Sequence, residues 1–316
     1  MNHLTLKSDA LLLLTATIWG FAFVAQRVGM AHVGPFTFNG VRFALGALAL
    51  LPVLLRFGRR SAPADGDGGR ISTLKMAGGG ALAGAALFLG ASLQQVGLVY
   101  TTAGNAGFIT GLYVVIVPLL GLMWGQRSDF GTWAGVVLAA AGLYLLSVTD
   151  RFTIAFGDLL ELAGAFMWAA HVHIIGWLSP RVPAVKLALM QYAACSALSL
   201  ATALVFESPQ WIGIWRAAVP ILYGGVMSVG IAYTLQVVAQ RHALPAHAAI
   251  LLSLEAVFAA IGGWLLLDER LSFRALVGCG LMLAGMLMSQ LFGLWRGWGF
   301  SGRRRSLHSQ APSVRD

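Results

Sequence analysis

Apolar runs of about 20 residues recur along the whole of this chain, with few charged residues inside them. An α-helix rises about 1.5 Å per residue, so each run is long enough to cross a hydrocarbon layer about 30 Å thick. Backbone polar groups cannot stay unpaired in lipid, so each run is predicted to be helical. The predicted spans are 10–29, 35–55, 74–98, 103–124, 130–148, 157–177, 185–206, 217–239, 245–267 and 273–294.

Composition excludes an ordinary soluble protein. Only 10% of the residues are charged and the mean hydropathy is +0.77, whereas about a quarter of a soluble domain is charged. The net charge of +9 would suit a nucleic-acid partner, but the basic residues fall in short loops and the C-terminal tail. We therefore predict a lipid bilayer as partner and no nucleic acid. The first run lacks a convincing small-x-small cleavage site and is predicted to stay as a helix.

The basic residues also predict the orientation. Of the 21 Lys and Arg residues, only Arg42 is deep inside a span; five fall in or next to the loops opposite the N-terminus, and the other 15 fall on the N-terminal side. The five are Arg27, Arg151, Arg216, Arg270 and Arg274. Because cytoplasmic loops are enriched in Lys and Arg, both termini are predicted to be cytoplasmic in an inner (plasma) membrane. Residues 296–316 then form a basic cytoplasmic tail.

The two halves of the chain repeat each other. Trp19 and Asp9 precede Trp168 and Asp158 by 149 positions, while Gln94 and Tyr113 precede Gln236 and Glu255 by 142. These offsets predict two units, 1–149 and 150–295, of five helices each. Since five is odd, the second unit would be inserted upside down. The predicted fold is an all-α integral membrane protein of ten transmembrane helices in two inverted five-helix repeats, an arrangement typical of secondary transporters with a midplane site.

Glu255 is the leading candidate for chemistry. It lies about ten residues into the ninth span, and ionisable groups at that depth are costly and usually functional. A carboxyl in a low-dielectric setting can hold a proton at neutral pH, so Glu255 is predicted to couple transport to protons. The same group could instead pair with a cationic substrate or hydrogen-bond a neighbouring helix. We predict that Glu255→Gln preserves folding and abolishes coupled transport.

Further polar and aromatic residues inside the spans predict a substrate-binding surface. Asn105 and Tyr113, like His247 and Glu255, are eight residues apart, so each pair can share one broad helix face. Ordinary hydrogen bonding or packing between helices is the alternative for each candidate. The substrate-binding candidates are Trp19, Gln94, Asn105, Tyr113, Trp168, His171, Tyr233, Gln236 and His247.

Three other features bear on whether the chain binds a metal, uses ATP or binds an anionic ligand. His171 and His173 point about 200° apart on a helix, so they cannot share an ion, and neither a metal nor a cofactor is predicted. No Gly-x4-Gly-Lys-Ser/Thr loop occurs, so the chain does not itself use ATP. Arg42, two turns from the outer end of the second span, could meet an anionic ligand, but snorkelling or pairing with Glu161 or Asp158 is favoured.

Two stretches resemble a known family. Gln94 to Pro118 is similar to the third-to-fourth helix region of EamA-type proteins of the drug/metabolite transporter superfamily. Leu254 to Ser272 resembles their ninth helix and following loop, and Trp19-Gly20 and Arg42-Phe43 also fit the pattern. The resemblance covers the chain as two EamA units. It implies ten helices, an inverted repeat and export or exchange of metabolites.

The leading hypothesis is a secondary transporter that moves a small metabolite, an amino acid or related compound, by alternating access. Export is the predicted direction, with possible coupling to protons. The alternative is a membrane-embedded enzyme acting on a lipid or isoprenoid carrier. Such enzymes generally need clustered Asp, His or Arg, or a spacing such as His-Glu-x-x-His, and neither pattern occurs here. We therefore predict that the chain is not an enzyme.

Overall fold

A computed structural model describes most of the chain. The described residues are 3–57, 73–101, 103–126, 128–147 and 156–268, followed by 272–274, 276–278, 280–285 and 287–288. All regular secondary structure in these ranges is helical. The loop around Ser61 to Arg70 and the tail from Arg303 lie outside the described residues.

The helices follow the apolar runs closely. The first half contains α1 His3–Gly29, α2 Pro35–Phe57, α3 Thr73–Tyr100, α4 Ala103–Gly111, α5 Tyr113–Met123 and α6 Phe130–Ser147. The second half contains α7 Phe156–Leu178, α8 Ala184–Phe206, α9 Trp211–Arg216, α10 Ala218–Leu222, a π-helix Tyr223–Tyr233, α11 Thr234–Ala239, α12 Pro245–Leu252 and α13 Glu255–Leu267. The predicted tenth span, 273–294, is described only in pieces, which are helical from residue 273.

Length and polarity fit repeated crossing of a bilayer. Within the described ranges, seven helical stretches are long and apolar enough to cross a membrane, and Ile109–Met123, Phe130–Gly142 and Leu276–Gly285 are shorter apolar helices. Leu55, Leu204 and Phe206 are largely exposed, whereas Glu161 and Gln191 are fully buried. Many large apolar side chains are exposed, as expected for a surface that faces lipid, while the interior combines an apolar core with a few buried polar side chains.

Two predicted spans are interrupted at matching places. The fourth breaks at Leu112, where the Val115 amide donates to Leu112 O at 2.9 Å in the tighter i→i+3 pattern. The ninth breaks at Ser253 and Leu254, where the Ala256 amide donates to Ser253 O at 3.1 Å. Tyr113 and Glu255 are therefore the first residues of α5 and α13. Sequence periodicity did not predict either break.

The eighth span contains an 11-residue π-helix. π-helical turns place one extra residue in each hydrogen-bonded ring and often occur at functional sites. Two side chains of α1 donate to carbonyls in this segment, Trp19 Nε1 to Ser228 O at 3.3 Å and Thr15 Oγ1 to Ala232 O at 3.3 Å. The segment is thereby joined to α1.

Glycines allow the helices to approach closely around the centre. A Cβ on Gly20 would lie 2.3 Å from Phe258 Cβ and 2.8 Å from Glu255 O, so α1 and α13 meet backbone to backbone. A Cβ on Gly84 would lie 2.5 Å from Ala194 Cβ, which brings α3 against α8. In addition, α3 packs along α7, and α2 packs along α8 and the π-helix.

Candidate functional site

A small cavity lies among α1, α2, α3, α7 and the two interrupted spans. The cavity has a volume of about 40 Å³ that water-sized molecules can occupy. Its wall takes eight residues from each half of the chain and mixes aromatic, polar and charged side chains. The lining residues are Trp19, Ala22, Phe23, Gln26, Arg42, Gln94, Thr110, Tyr113, Trp168, His171, Val172, Ser228, Tyr233, Gln236, Leu252 and Glu255.

The structure brings most of the predicted site residues together. Eight of the ten candidates named from the sequence line this cavity: Trp19, Gln94, Tyr113, Trp168, His171, Tyr233, Gln236 and Glu255. Their helices come from both halves, so residues far apart in sequence share one surface.

One candidate, His247, lies outside the cavity lining, and the side chain of another, Asn105, is not described. His247 Nε2 lies 2.8 Å from Asp9 Oδ1, and His247 is not among the residues that line the cavity. The break at Leu254 separates His247 on α12 from Glu255 on α13, so the shared face expected from one continuous helix does not form. Asn105 lies in α4, and its side chain is outside the described part of the structure.

The lining residues include matched pairs. Trp19 and Trp168, Ala22 and His171, and Phe23 and Val172 are each separated by 149 positions. Gln94 and Gln236, Thr110 and Leu252, and Tyr113 and Glu255 are each separated by 142. Twelve of the sixteen lining residues therefore occupy corresponding places in the two halves.

Tyr233 is the centre of an aromatic cluster in the wall. The centroid of its ring lies 4.5 Å from that of Trp19. The ring also stacks on that of Trp168, with 6.2 Å between the centroids and 27° between the ring planes. The rings of His171 and Phe43 also lie within 6.2 Å of it. Packed aromatic rings give a rigid wall that can stack on an apolar or cationic group.

Arg42 is a buried cation in the same wall. Its guanidinium lies over the rings of Phe38 and Phe43, at 5.4 Å and 5.1 Å from their centroids. No described carboxylate lies within ion-pair distance of it, and its Nε has no hydrogen-bond partner there. The favoured expectation of pairing with Glu161 or Asp158 is therefore wrong for Arg42 as placed here. Glu161 accepts from Thr110, and Asp158 accepts from Thr101.

Glu255 is buried at the first turn of α13, beside the cavity. Positive charge from unpaired amides at a helix N-terminus favours a carboxylate in that position. The Tyr113 hydroxyl lies near this carboxyl, yet no described atom gives it a hydrogen bond of regular geometry. Both side chains line the cavity.

The two histidines of α7 reach different places. His171 Nε2 lies 2.9 Å from Gln191 Oε1, while His173 Nε2 lies 2.8 Å from Val117 O. The two side chains therefore point towards different helices, as their spacing predicts. No group of three or more His, Cys, Asp or Glu side chains suited to a metal occurs among the described residues.

Sequence reasoning missed three polar lining residues. Gln26, Thr110 and Ser228 each line the cavity. Thr and Ser are common packing residues in membrane helices, so their presence in a span does not indicate that they line a site. Gln26 lies seven residues after Trp19, about two turns along the same face of α1, and that spacing would have indicated it.

A polytopic helical fold around a cavity lined by aromatic, polar and charged side chains is typical of membrane transporters. Residues 6–148 and 155–291 each match the EamA-like transporter family. The chain belongs to the EamA-like transporter family, which confirms the predicted resemblance.

Relatives agree with this assignment. An uncharacterized transporter of Archaeoglobus fulgidus is 33% identical over 90% of this chain and 86% of its own length. A probable amino-acid metabolite efflux pump of Escherichia coli is 29% identical over 52% of this chain and 51% of its own length. A solved crystal structure superposes with a TM-score of 0.73 over 90% of this chain and 96% of the other, and its 19% identity shows the fold alone.

These similarities define a multi-pass membrane transporter. The family and the names of the relatives are those of transporters, so the alternative of a lipid-processing enzyme is set aside.

Proposed function

We propose that this protein exports an amino acid or a related small metabolite by alternating access, coupled to proton movement. The observation that carries the proposal is Arg42, a buried cation in the cavity wall with no described carboxylate partner. Leaving a buried charge uncompensated costs several kcal/mol. A ligand carboxylate would offset that cost and would form bidentate hydrogen bonds with the guanidinium.

Other unpaired polar atoms in the wall support a polar ligand. Buried polar groups in proteins are nearly always hydrogen-bonded. Trp168 Nε1, a donor, and Gln236 Oε1, an acceptor, are buried without a hydrogen-bond partner among the described residues. They supply a donor and an acceptor around one space, which suits a ligand carrying more than one polar group.

Glu255 supplies the opposite charge to Arg42 in the same wall. Arg42, Glu255 and Tyr233 all line the same cavity. An α-amino acid carries a carboxylate and an ammonium group and would match this pair. A proton on Glu255 could take the place of the ammonium group, which links substrate binding to proton binding. The name of the Escherichia coli relative points to the same substrate class.

The proposed architecture is ten transmembrane helices in two inverted repeats, residues 1–149 and 150–295. The matched lining pairs and the two helix breaks support it, as does the double family match. A reciprocal glycine contact adds support. A Cβ on Gly142 would lie 2.5 Å from Gly278 O, and one on Gly285 would lie 2.7 Å from Gly135 O. Such reciprocity is expected across a two-fold axis.

In this arrangement the protein lies in the inner membrane of the cell. Both termini, including the basic tail 296–316, face the cytoplasm. Labelling of tags at the two ends in intact and permeabilised cells tests this orientation. Tags accessible on opposite sides of the membrane would rule out an even number of spans and with it the inverted repeat.

Transport is tested in proteoliposomes with radiolabelled amino acids, purines and organic cations. We expect saturable movement of at least one amino acid, stimulated by a pH gradient. Arg42→Gln should abolish it, whereas Arg181→Gln, which removes an exposed arginine, should leave it unchanged. Movement of a purine or a cation without any amino acid would overturn the proposed substrate class.

A further inference from the structure

A second acidic side chain is buried in the bundle behind the cavity wall. Glu161 lies on α7 and is fully inaccessible to solvent. Its Oε2 accepts a hydrogen bond from Thr110 Oγ1 at 3.0 Å, while its Oε1 has no hydrogen-bond partner in the described part of the chain. The cavity is not lined by Glu161 itself, so the substrate site does not account for this carboxyl.

The surroundings of Glu161 cannot hold a negative charge. No described Lys, Arg or His lies within ion-pair distance of its carboxyl. The backbone of α3 closes over it, because a Cβ on Gly97 would lie 2.6 Å from Glu161 Oε1. An ionised carboxylate with one hydrogen bond in such a place costs several kcal/mol, whereas the protonated form does not.

Thr110 joins this carboxyl to the cavity. The threonine lines the cavity and its hydroxyl contacts Glu161, so only one side chain separates the two. A hydroxyl both donates and accepts, and it can therefore pass a proton between a carboxyl and water.

A second group continues the path away from the cavity. Asp158 lies three residues before Glu161, on the same face of α7, and accepts from Thr101 Oγ1 at 2.6 Å. Arg27 Nη1 donates to Thr101 O at 3.3 Å and lies at the exposed end of α1. Two acidic groups thus lie between the start of α7 and Thr110 in the cavity wall.

The ionisable groups on the elements around α7 are few. Besides Glu161, α7 itself carries Asp158, His171 and His173, and the two histidines lie against Gln191 Oε1 and Val117 O. The neighbouring helices present Tyr100 at the end of α3, Tyr113 on α5 and His247 on α12, and α4 presents none that is described. Of these, Tyr113 faces the cavity and His247 is paired with Asp9.

We propose that Glu161 is a second proton-binding site, which holds a proton while α3, α4 and α7 are packed together and releases it to cavity water through Thr110 when α4 and α7 separate. On release the carboxyl O–H bond breaks, its electron pair stays on the carboxylate and the proton passes to water. No oxidation or reduction is involved. The coupling role rests on the proposed function, but occupation of the site by a proton does not.

Infrared spectroscopy of the purified full-length protein tests the occupation without any substrate. Protonated carboxyls have a carbonyl stretch distinct from that of carboxylates, and it shifts in D₂O. At neutral pH we expect a component that is lost completely in Glu161→Gln and kept in Asp129→Asn, a control that removes a loop carboxyl bonded to the Thr132 amide. A Glu161→Gln spectrum identical to that of the wild type would overturn the proposal.

Substitutions at Thr110 test the connection even where Glu161→Gln does not fold. Thr110→Val removes the hydrogen bond to Glu161 and should shift both the band and the pH at which it disappears, while Thr110→Ser should restore them. No difference between Thr110→Val and Thr110→Ser would refute the link. In proteoliposomes, Glu161→Gln should retain substrate exchange and lose stimulation by a pH gradient. If no amino acid is transported but the band behaves as expected, the substrate assignment fails and the proton site stands.

Discussion

His247 Nε2 lies 2.8 Å from Asp9 Oδ1, so the start of α12 is joined to the early turns of α1. At the other end of α1, Arg27 donates to the Leu98 and Thr101 carbonyls at the end of α3. Asp9 and Arg27 are eighteen residues apart, or about 27 Å along the helix. Polar contacts thus hold the bundle together at both ends of α1, with the cavity between them.

The Asp9–His247 contact should be measurable as an energetic coupling. We expect Asp9→Asn and His247→Gln each to lower the unfolding temperature in detergent, because each weakens the contact between the two side chains. The double variant should be little worse than either single one, with a coupling of about 0.5–3 kcal/mol. Strictly additive effects in this double-mutant cycle would mean that the two side chains do not interact in the folded protein.

Replacing Arg42 should separate stability from function. Arg42→Met removes a buried charge and keeps most of the volume, so thermal stability should be equal to or above that of the wild type. Transport should nevertheless be lost. Arg42→Lys keeps the charge without the planar donors, so it should recover transport only in part. A loss of about 3 kcal/mol in Arg42→Met, as in truncation of a core residue, would show that Arg42 is structural.

Glu207 caps the N-terminus of α2, although it is far from that helix in sequence. Its carboxylate accepts from the Phe36 and Thr37 amides, each at 2.8 Å, at the start of α2. Glu207→Ala should therefore cost about 1–2 kcal/mol, as for other lost caps. Glu207→Gln keeps one acceptor oxygen and should cost less. Equal unfolding temperatures for the two variants would show that the cap does not contribute.

Gly20 permits the close approach of α1 to α13 next to Glu255. Gly20→Ala should force the two helices apart, because its Cβ would meet backbone atoms at 2.8 Å as well as Phe258. We expect a clear loss of stability and of transport, measured by thermal unfolding and by uptake. Gly78→Ala is the matched control, since a Cβ there meets nothing within 4 Å and a helical alanine is favoured. A neutral Gly20→Ala would mean that the helices are less tightly packed than described.

The repeat explains how far the site could be predicted. Trp19 and Trp168, or Gln94 and Gln236, are recognisable because each has a partner at a constant offset inside an apolar run. Helix periodicity then places both members of a pair on the inner face. The apolar runs likewise predicted most of the described helical spans to within a few residues, since lipid leaves the backbone no alternative. An exception is α1, which begins at His3, seven residues before the predicted start.

Other residues could not be predicted for local reasons. The prediction for His247 assumed one continuous helix, and the break at Leu254 cancels the angular relation to Glu255. Arg42 was interpreted as a snorkelling or paired residue, because its sequence position does not show which way the side chain runs. Two aromatic rings hold it inward instead. The role of Thr110 depends on contact with Glu161, which lies 51 positions away.

The π-helix from Tyr223 to Tyr233 occupies the second half only, since α3, its counterpart in the first half, is α-helical from Thr73 to Tyr100. Two identical halves would give inward-open and outward-open forms of equal free energy. In the proposed inverted repeat one half carries a differently wound segment, so the two forms would no longer be equivalent by two-fold symmetry, and we expect the empty protein to prefer one of them. The directionality of such a carrier can therefore be built into its backbone as well as into the gradients across the membrane.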